Sequence, residues 1–260
     1  MGLGLWFFLL YFPILSNGDT SSSLIGITGH DFVLLAADTA FRRGGQVLVR
    51  DHDRIAKIGT HTMLATAGDG ASSEQFVSYL SANLALADIV HGCPTSTRSV
   101  AYFTRREVHR LLRRSPVQAD FLLAGLDAEM EETSVCESNF VETETIVASE
   151  SDSKISRRMK PQLHWIDRTG ASCELKYAAQ GPSAPMVIAT MDERWREDMN
   201  LQEALDLLGR CIEQLEGRVS VAAHGWRVKV VDRNGANQLL AFSKRKDKAA
   251  SKLAPSNETP

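Results

Sequence analysis

Apolar and polar positions alternate along this chain in two distinct rhythms. Leu24-Ile25-Gly26-Ile27-Thr28 and Phe32-Val33-Leu34-Leu35-Ala36-Ala37 are short, nearly continuous apolar runs on either side of Gly29-His30-Asp31. This pattern predicts a β-hairpin of buried strands that ends on the carboxylate of Asp38. Val47-Leu48-Val49, Arg54 to Ile58 and Thr62 to Ala67 read as further strands, the last running into Gly68-Asp69-Gly70. The rhythm then turns helical. Phe76, Leu80, Leu84 and Ala87 share a face, Ser72 and Gln75 have capping-box spacing, and Gly92 marks the stop. Pro94 opens a second helix with Val100, Phe103, Val108, Leu111 and Leu112 on its apolar side.

Ala119 to Leu126 returns to a strand pattern, resumed at Leu163 to Asp167. After Gly181-Pro182-Ser183 comes an apolar stretch around Met186, Val187 and Ile188. A fourth helical pattern is capped by Asn200 with Glu203 three residues on, and its seam is Leu201, Leu205, Leu208, Ile212 and Leu215. Trp226 to Val231 alternates as a strand, and Asp232-Arg233-Asn234-Gly235 turns it toward Leu239-Leu240. Strands, two helices, strands, two helices and strands suit an α+β domain with sheets between helical layers.

The residues from 128 to 160 break the pattern with eight acidic side chains, many Ser and Thr and few large apolar groups. They are expected to form a largely disordered surface insertion, with a regulatory docking segment as the alternative. Leu3 to Leu15 is an apolar run too short for a comfortable membrane span and interrupted by Pro13. Residues 1–21 are expected to be a leader or propeptide-like extension. Residues 243–260 are expected to be a disordered tail, whose Lys244-Arg245-Lys246-Asp247-Lys248 run is either solvated or a nuclear signal.

Composition adds bounds. With 260 residues and a net charge of −3, the chain can bury a sizeable core and carries no overall bias toward nucleic acid or membranes. Cys93, Cys136, Cys173 and Cys211 are widely spaced and form no CxxC pair, which points to reduced thiols rather than a disulfide or zinc framework. His30, His52, His61, His91, His109, His164 and His224 show no ligand spacing, so neither metal nor cofactor is expected. Arg98, Arg105, Arg106, Arg110, Arg113 and Arg114 give the second helix a basic face, read as solvated, as a phosphate-binding helix or, preferably, as a seat for an acidic neighbouring subunit.

Several motifs agree in order: the Leu24–Asp38 hairpin, His52-Asp53-Arg54-Ile55, Ala67-Gly68-Asp69-Gly70, Phe103-Thr104-Arg105-Arg106, Phe121 to Asp127, Ala204 to Ile212, and Val228 to Gly235. From about Ser22 to Leu240, outside the acidic insertion, the chain resembles a proteasome β-subunit of the beta type-2 kind, at the fourth position of the β-ring. The resemblance implies a four-layer αββα sandwich of the N-terminal nucleophile hydrolase type over residues 22–242. It also implies α- and β-type partners in stacked seven-membered rings of the 20S core, in cytoplasm and nucleus, serving ATP- and ubiquitin-dependent protein degradation.

The family's chemistry uses an N-terminal threonine hydroxyl, its own α-amine as base, a lysine held by an aspartate, and a glycine amide for the oxyanion. Carried across, Asp38 matches the aspartate and Gly68 the oxyanion glycine. Ser22 falls where the threonine belongs, with Ser21 and Ser23 as register alternatives, and Arg54 falls where the lysine belongs. Ala40 takes a place that active members give to arginine, and Val219-Ser220-Val221-Ala222 lacks a further aspartate. A guanidinium stays protonated and cannot replace a tunable ammonium. The expectation is a structural, non-catalytic subunit in which Asp38 caps a strand end or pairs with Arg54, and Gly68 and Gly70 shape a tight corner. The competing expectations are an active peptidase using Ser22 and a secreted or membrane-anchored binding module.

Overall fold

The computed structural model describes residues 22–43, 46–128, 159–216 and 225–238. The expectations for 1–21, Ser21, Cys136, most of the insertion, Ser220, His224, Leu239-Leu240 and the basic tail lie outside the described residues. The elements in chain order are strands β1 (Leu24–Thr28), β2 (Val33–Asp38), β3 (Phe41–Arg43), β4 (Gln46–Val49), β5 (Ile55–Lys57) and β6 (Thr62–Gly68), and helices α1 (Gly70–His91) and α2 (Thr97–Leu111). Strands β7 (Ala119–Ala128), β8 (Met159–Ile166), β9 (Ser172–Leu175) and β10 (Tyr177–Gln180) follow, then helices α3 (Ala184–Arg194) and α4 (Leu201–Glu216) and strands β11 (Trp226–Asp232) and β12 (Gly235–Gln238).

Two antiparallel five-stranded sheets carry the fold, ordered β10-β1-β2-β11-β12 and β5-β6-β7-β8-β9, with β3 and β4 as a separate hairpin. The unbroken apolar runs of β1 and β2 follow from burial on both faces. Leu24, Val33, Leu35 and Ala37 face the other sheet, where they meet Met63, Ala65, Leu122, Ala124 and Leu163. The alternate residues Ile25, Ile27, Leu34 and Ala36 face Val187 and Met191 of α3 and Leu208, Cys211, Ile212 and Leu215 of α4. In the second sheet Leu64, Phe121 and Leu123 turn outward onto Phe76 and Leu80 of α1 and Val100 and Val108 of α2. The result is the expected α+β sandwich, layered αββα. Each fully buried Leu or Ile in these layers contributes about 1.5–3 kcal/mol relative to exposure, more than the local propensity of any residue in the helices. Gln180 ties the sheets together, its amide donating to the carbonyls of Phe121 and Ile166 at 3.3 Å each.

Three local expectations are corrected. The α1 cap is Asp69, whose carboxylate accepts from Ser72 N at 2.9 Å, because the strand-to-helix corner falls three residues before Ser72. Helix α2 starts at Thr97 under the Ser96 cap rather than at Pro94, and Asp127 of β7 holds its first turn by accepting from Thr97 N and Oγ1. The buried face of α4 is rotated toward Ala204, Leu207 and Cys211, which leaves Leu201 exposed. The insertion is also narrower than its composition suggests. The β7–β8 ladder continues through Asp127↔Lys160 and Ala128↔Met159.

Candidate functional site

Ser22 and Asp38 lie at one end of the first sheet, Arg54 bonds the Ala40 carbonyl two residues past Asp38, and Gly68 ends β6 of the second sheet. Strand β1 is drawn against β2 along its whole length, and the Asp38 amide donates to the Ser23 carbonyl at 3.1 Å, so the serines lie one rung from the carboxylate. Both serines are buried. The Ser23 hydroxyl bonds the Ser183 hydroxyl at the start of α3, while the Ser22 hydroxyl has no hydrogen-bond partner among the described residues. Gly181 makes this packing possible: its φ is +97°, and a Cβ there would lie 2.2 Å from the Ser22 carbonyl oxygen.

Asp38 ends β2 opposite Trp226 of β11. Its Oδ2 accepts from Arg42 Nη1 at 2.7 Å and its Oδ1 from the Ala40 amide at 3.0 Å, with both charged side chains nearly free of solvent. Of the two roles the sequence left open for Asp38, capping the strand end and pairing with Arg54, the bond from the Ala40 amide is the first, and the ion pair is with Arg42. Arg54 instead donates from Nη2 to the Ala40 carbonyl at 3.2 Å and lies 5.7 Å over the Phe41 ring, with its Nε buried and unpartnered among the described residues. The carboxylate and the guanidinium therefore grip opposite ends of the Ala40 residue. Burial lowers the Arg54 pKa, the Asp38 charge works against that, and Arg42 adds to it. Arg42 was missed by sequence reasoning, because a four-residue spacing signals an ion pair on a helix and this segment is the exit of a strand.

Gly68 closes β6, opposite Ala119, with φ +145°. A Cβ there would lie 2.2 Å from the Gln118 carbonyl oxygen, so only glycine lets the chain turn this corner into α1. Two residues on, Gly70 meets Phe41, whose ring would stand 2.7 Å from an added Cβ. The Phe41 ring thus touches the start of α1 and the Arg54 guanidinium, with its centroid 5.5 Å from that of His52. His52 in turn lies 3.5 Å from Glu74, and its pKa is lowered first by burial and then by Arg54.

A second charged group braces the site from β11. Arg227 pairs with Asp51 and Asp53, and Lys229 donates to Asp53 at 2.8 Å and to the Ile55 carbonyl. Burial pushes the Asp53 carboxyl up, but the bonds from Lys229, the Ile55 amide and Arg227 outweigh it and hold the group below its ordinary value. In the β11–β2 ladder Lys229 stands opposite Leu35, three rungs from Asp38, and its ammonium is engaged at Asp53 and Ile55. Among the described residues no group of three His, Cys, Asp or Glu side chains is placed to hold a metal ion.

The arrangement offers a buried carboxylate between two guanidiniums, a buried serine hydroxyl, and a glycine corner at a helix start. A free amine at Ser22 would require cleavage of the Ser21–Ser22 peptide bond. A family model described as "Proteasome subunit" matches residues 19–140 and 153–231. The "Proteasome subunit beta type-4" of Saccharomyces cerevisiae is 31% identical over 220 residues, covering 84% of this chain and 97% of that protein. The "Proteasome subunit beta type-2" of Oryza sativa subsp. japonica is 27% identical over 215 residues, 83% of this chain and 88% of that protein. The "Probable proteasome subunit beta type-4" of Schizosaccharomyces pombe is 27% identical over 218 residues, 84% of this chain and 98% of its own length.

Proposed function

The chain belongs to the proteasome subunit family and has the sandwich of its β-type, N-terminal nucleophile hydrolase members, and we propose that it serves the proteasome core as a structural, non-catalytic β-subunit. The observation that carries this reading is the engagement of Asp38. An attacking hydroxyl in this family needs a compact ammonium to depress the pKa of the groups around it, and the aspartate exists to hold that ammonium. Here the carboxylate is spent on Arg42 and the Ala40 amide, and the group across from it is the Arg54 guanidinium. A guanidinium spreads its charge over a planar fork and does not exchange its proton near neutral pH, so it positions a backbone rather than activating a nucleophile.

The subunit's work is then to fill one place in a β-ring beside α- and β-type partners in stacked seven-membered rings and to wall the chamber in which other subunits degrade protein in the ATP- and ubiquitin-dependent pathway. Cytoplasm and nucleus are the compartments that fit this role. Native mass measurement of an affinity-tagged chain tests it: recovery in a particle with α- and β-type subunits supports the reading, and recovery only as a free monomer overturns it.

One observation favours a second reading, an active serine nucleophile. The Ser22 hydroxyl is buried without a hydrogen-bond partner among the described residues, as a group reserved for a reacting atom would be. That reading needs cleavage before Ser22 to release its amine. Sequencing the N-terminus of the assembled chain decides between them, since any residue retained upstream of Ser22 excludes the amine-based mechanism.

A further inference from the structure

We propose that Ser115, in the turn between α2 and β7, is a phosphorylation site for a proline-directed kinase, and that Arg113 and Arg114 receive the phosphate. Of the eight prolines in the chain, only Pro116 and Pro260 follow a hydroxyl-bearing residue, and Pro116 alone of these falls among the described residues. Proline suits an apolar pocket beside the acceptor serine, because it brings no N–H to be left unpaired there.

The local structure puts the hydroxyl within reach of an enzyme. Helix α2 ends at Leu111, and the amides of Arg114 and Ser115 still donate back to the Leu111 carbonyl, at 3.0 and 2.9 Å. Pro116 cannot extend that pattern, and it biases Ser115 toward extended backbone. Leu112 to Pro116 are five consecutive exposed residues. The chain is anchored again at Val117, which is buried, and at Gln118, whose amide donates to the Ser72 hydroxyl and whose carbonyl accepts from the Asp69 amide. The turn between these anchors has few contacts to lose and opens at low cost.

Charge favours the product. Arg113 and Arg114 are exposed and form no ion pair among the described residues, whereas Arg106 and Arg110 of the same helix share Glu107. A phosphoserine carries about −1.5 to −2 charges at pH 7 and three strong acceptor oxygens, which arginine forks bind bidentately. The C-terminal end of a helix disfavours an anion, so the two arginines decide whether a phosphate is tolerated there. Phosphorylation cancels their charge and turns the end of α2 from a seat for acidic groups into a neutral one. In the transfer the Ser115 oxygen attacks the γ-phosphorus of Mg-ATP. Its bond to phosphorus forms as the bond to ADP breaks, and the hydroxyl proton passes to the kinase's aspartate base. The proposal does not depend on whether the subunit is catalytic.

The test incubates the full-length chain, alone and in the assembled particle, with Mg-ATP and a proline-directed kinase of the cyclin-dependent or mitogen-activated class, and maps the phosphate by peptide mass. Phosphate on Ser115 in either form, lost in Ser115→Ala and in Pro116→Ala, is the expected result. No phosphate at Ser115 in both forms, or labelling of Ser115 that Pro116→Ala leaves unchanged, overturns the proposal. A phosphorus NMR titration of the phosphorylated full-length chain then reads the pairing. The second phosphate pKa should lie below its ordinary value of about 6 and return toward it in Arg113→Gln/Arg114→Gln. A titration indifferent to that double substitution overturns the role of the arginines.

Discussion

Replacing Asp38 by alanine separates a carboxylate kept for the fold from one kept for chemistry. The side chain is 3% exposed, its partner Arg42 is 4% exposed, and their contact is 2.7 Å. At an effective dielectric near 20, unit charges about 4 Å apart attract by about 4 kcal/mol. Removing one partner of a buried pair costs about 3–5 kcal/mol because the other is left desolvated. Asp38→Ala also strips the Ala40 amide of its acceptor, and it removes the negative charge that offsets the burial of Arg54. The expected loss is therefore ~3–5 kcal/mol, or about 6–20 °C in Tm for a domain of this size. Asp38→Asn should cost less, since its amide oxygen can still accept from Ala40. Urea unfolding of the wild type, both variants, Arg42→Ala and the Asp38/Arg42 double variant gives the coupling energy directly. A wild-type-like or stabilised Asp38→Ala would refute the reasoning, because catalytic groups are the ones whose removal commonly leaves a fold intact or tighter.

Three further outcomes follow from the same geometry. Gly181→Ala places a Cβ 2.2 Å from the Ser22 carbonyl at a φ of +97°, so strain and overpacking together should cost ~3 kcal/mol or more by denaturant titration. In the folded chain a maleimide should label exposed Cys93 and Cys173 and leave Cys211 untouched, because burial raises the Cys211 thiol to about 11; modification of Cys211 at the rate of the other two would contradict its placement under β2. His164 and His52 both have folded pKa values lowered first by burial. The unfolded chain therefore binds more protons just below about pH 6.5, and stability should rise with pH through that window. His164→Gln should flatten part of that slope, and an unchanged slope would show that His164 does not contribute.

Much of the sandwich was legible because of how its strands are buried. Strands β1, β2, β6 and β7 are covered on both faces, so their apolar runs are continuous, and the break to helical spacing at Phe76 and Leu80 is sharp. What escaped depends on three-dimensional neighbours. The Asp38–Arg42 pair forms across a strand exit, where spacing carries no periodic signal. The cap of α1 shifted from Ser72 to Asp69 because the corner is set by the close approach of Gly68 to Gln118, a residue fifty positions away. The buried face of α4 takes in Ala204, Leu207 and Cys211, and two of these are small residues that carry little apolar signal. The arginines of α2 read as a uniform solvated face, whereas two of them, Arg106 and Arg110, pair with the buried Glu107 while staying exposed themselves. The collinear motifs identified the family, while the engagement of Asp38 became legible only with Arg42 and Ala40 in place.

The proposed non-catalytic role can be checked by treating the assembled proteasome with a hydroxyl-directed covalent inhibitor of N-terminal nucleophiles and mapping the modified peptides of every β-type subunit. Adducts are expected on other β-subunits and none on the Ser22 peptide of this chain. An adduct on Ser22, formed at a rate comparable to the labelled subunits, would contradict it.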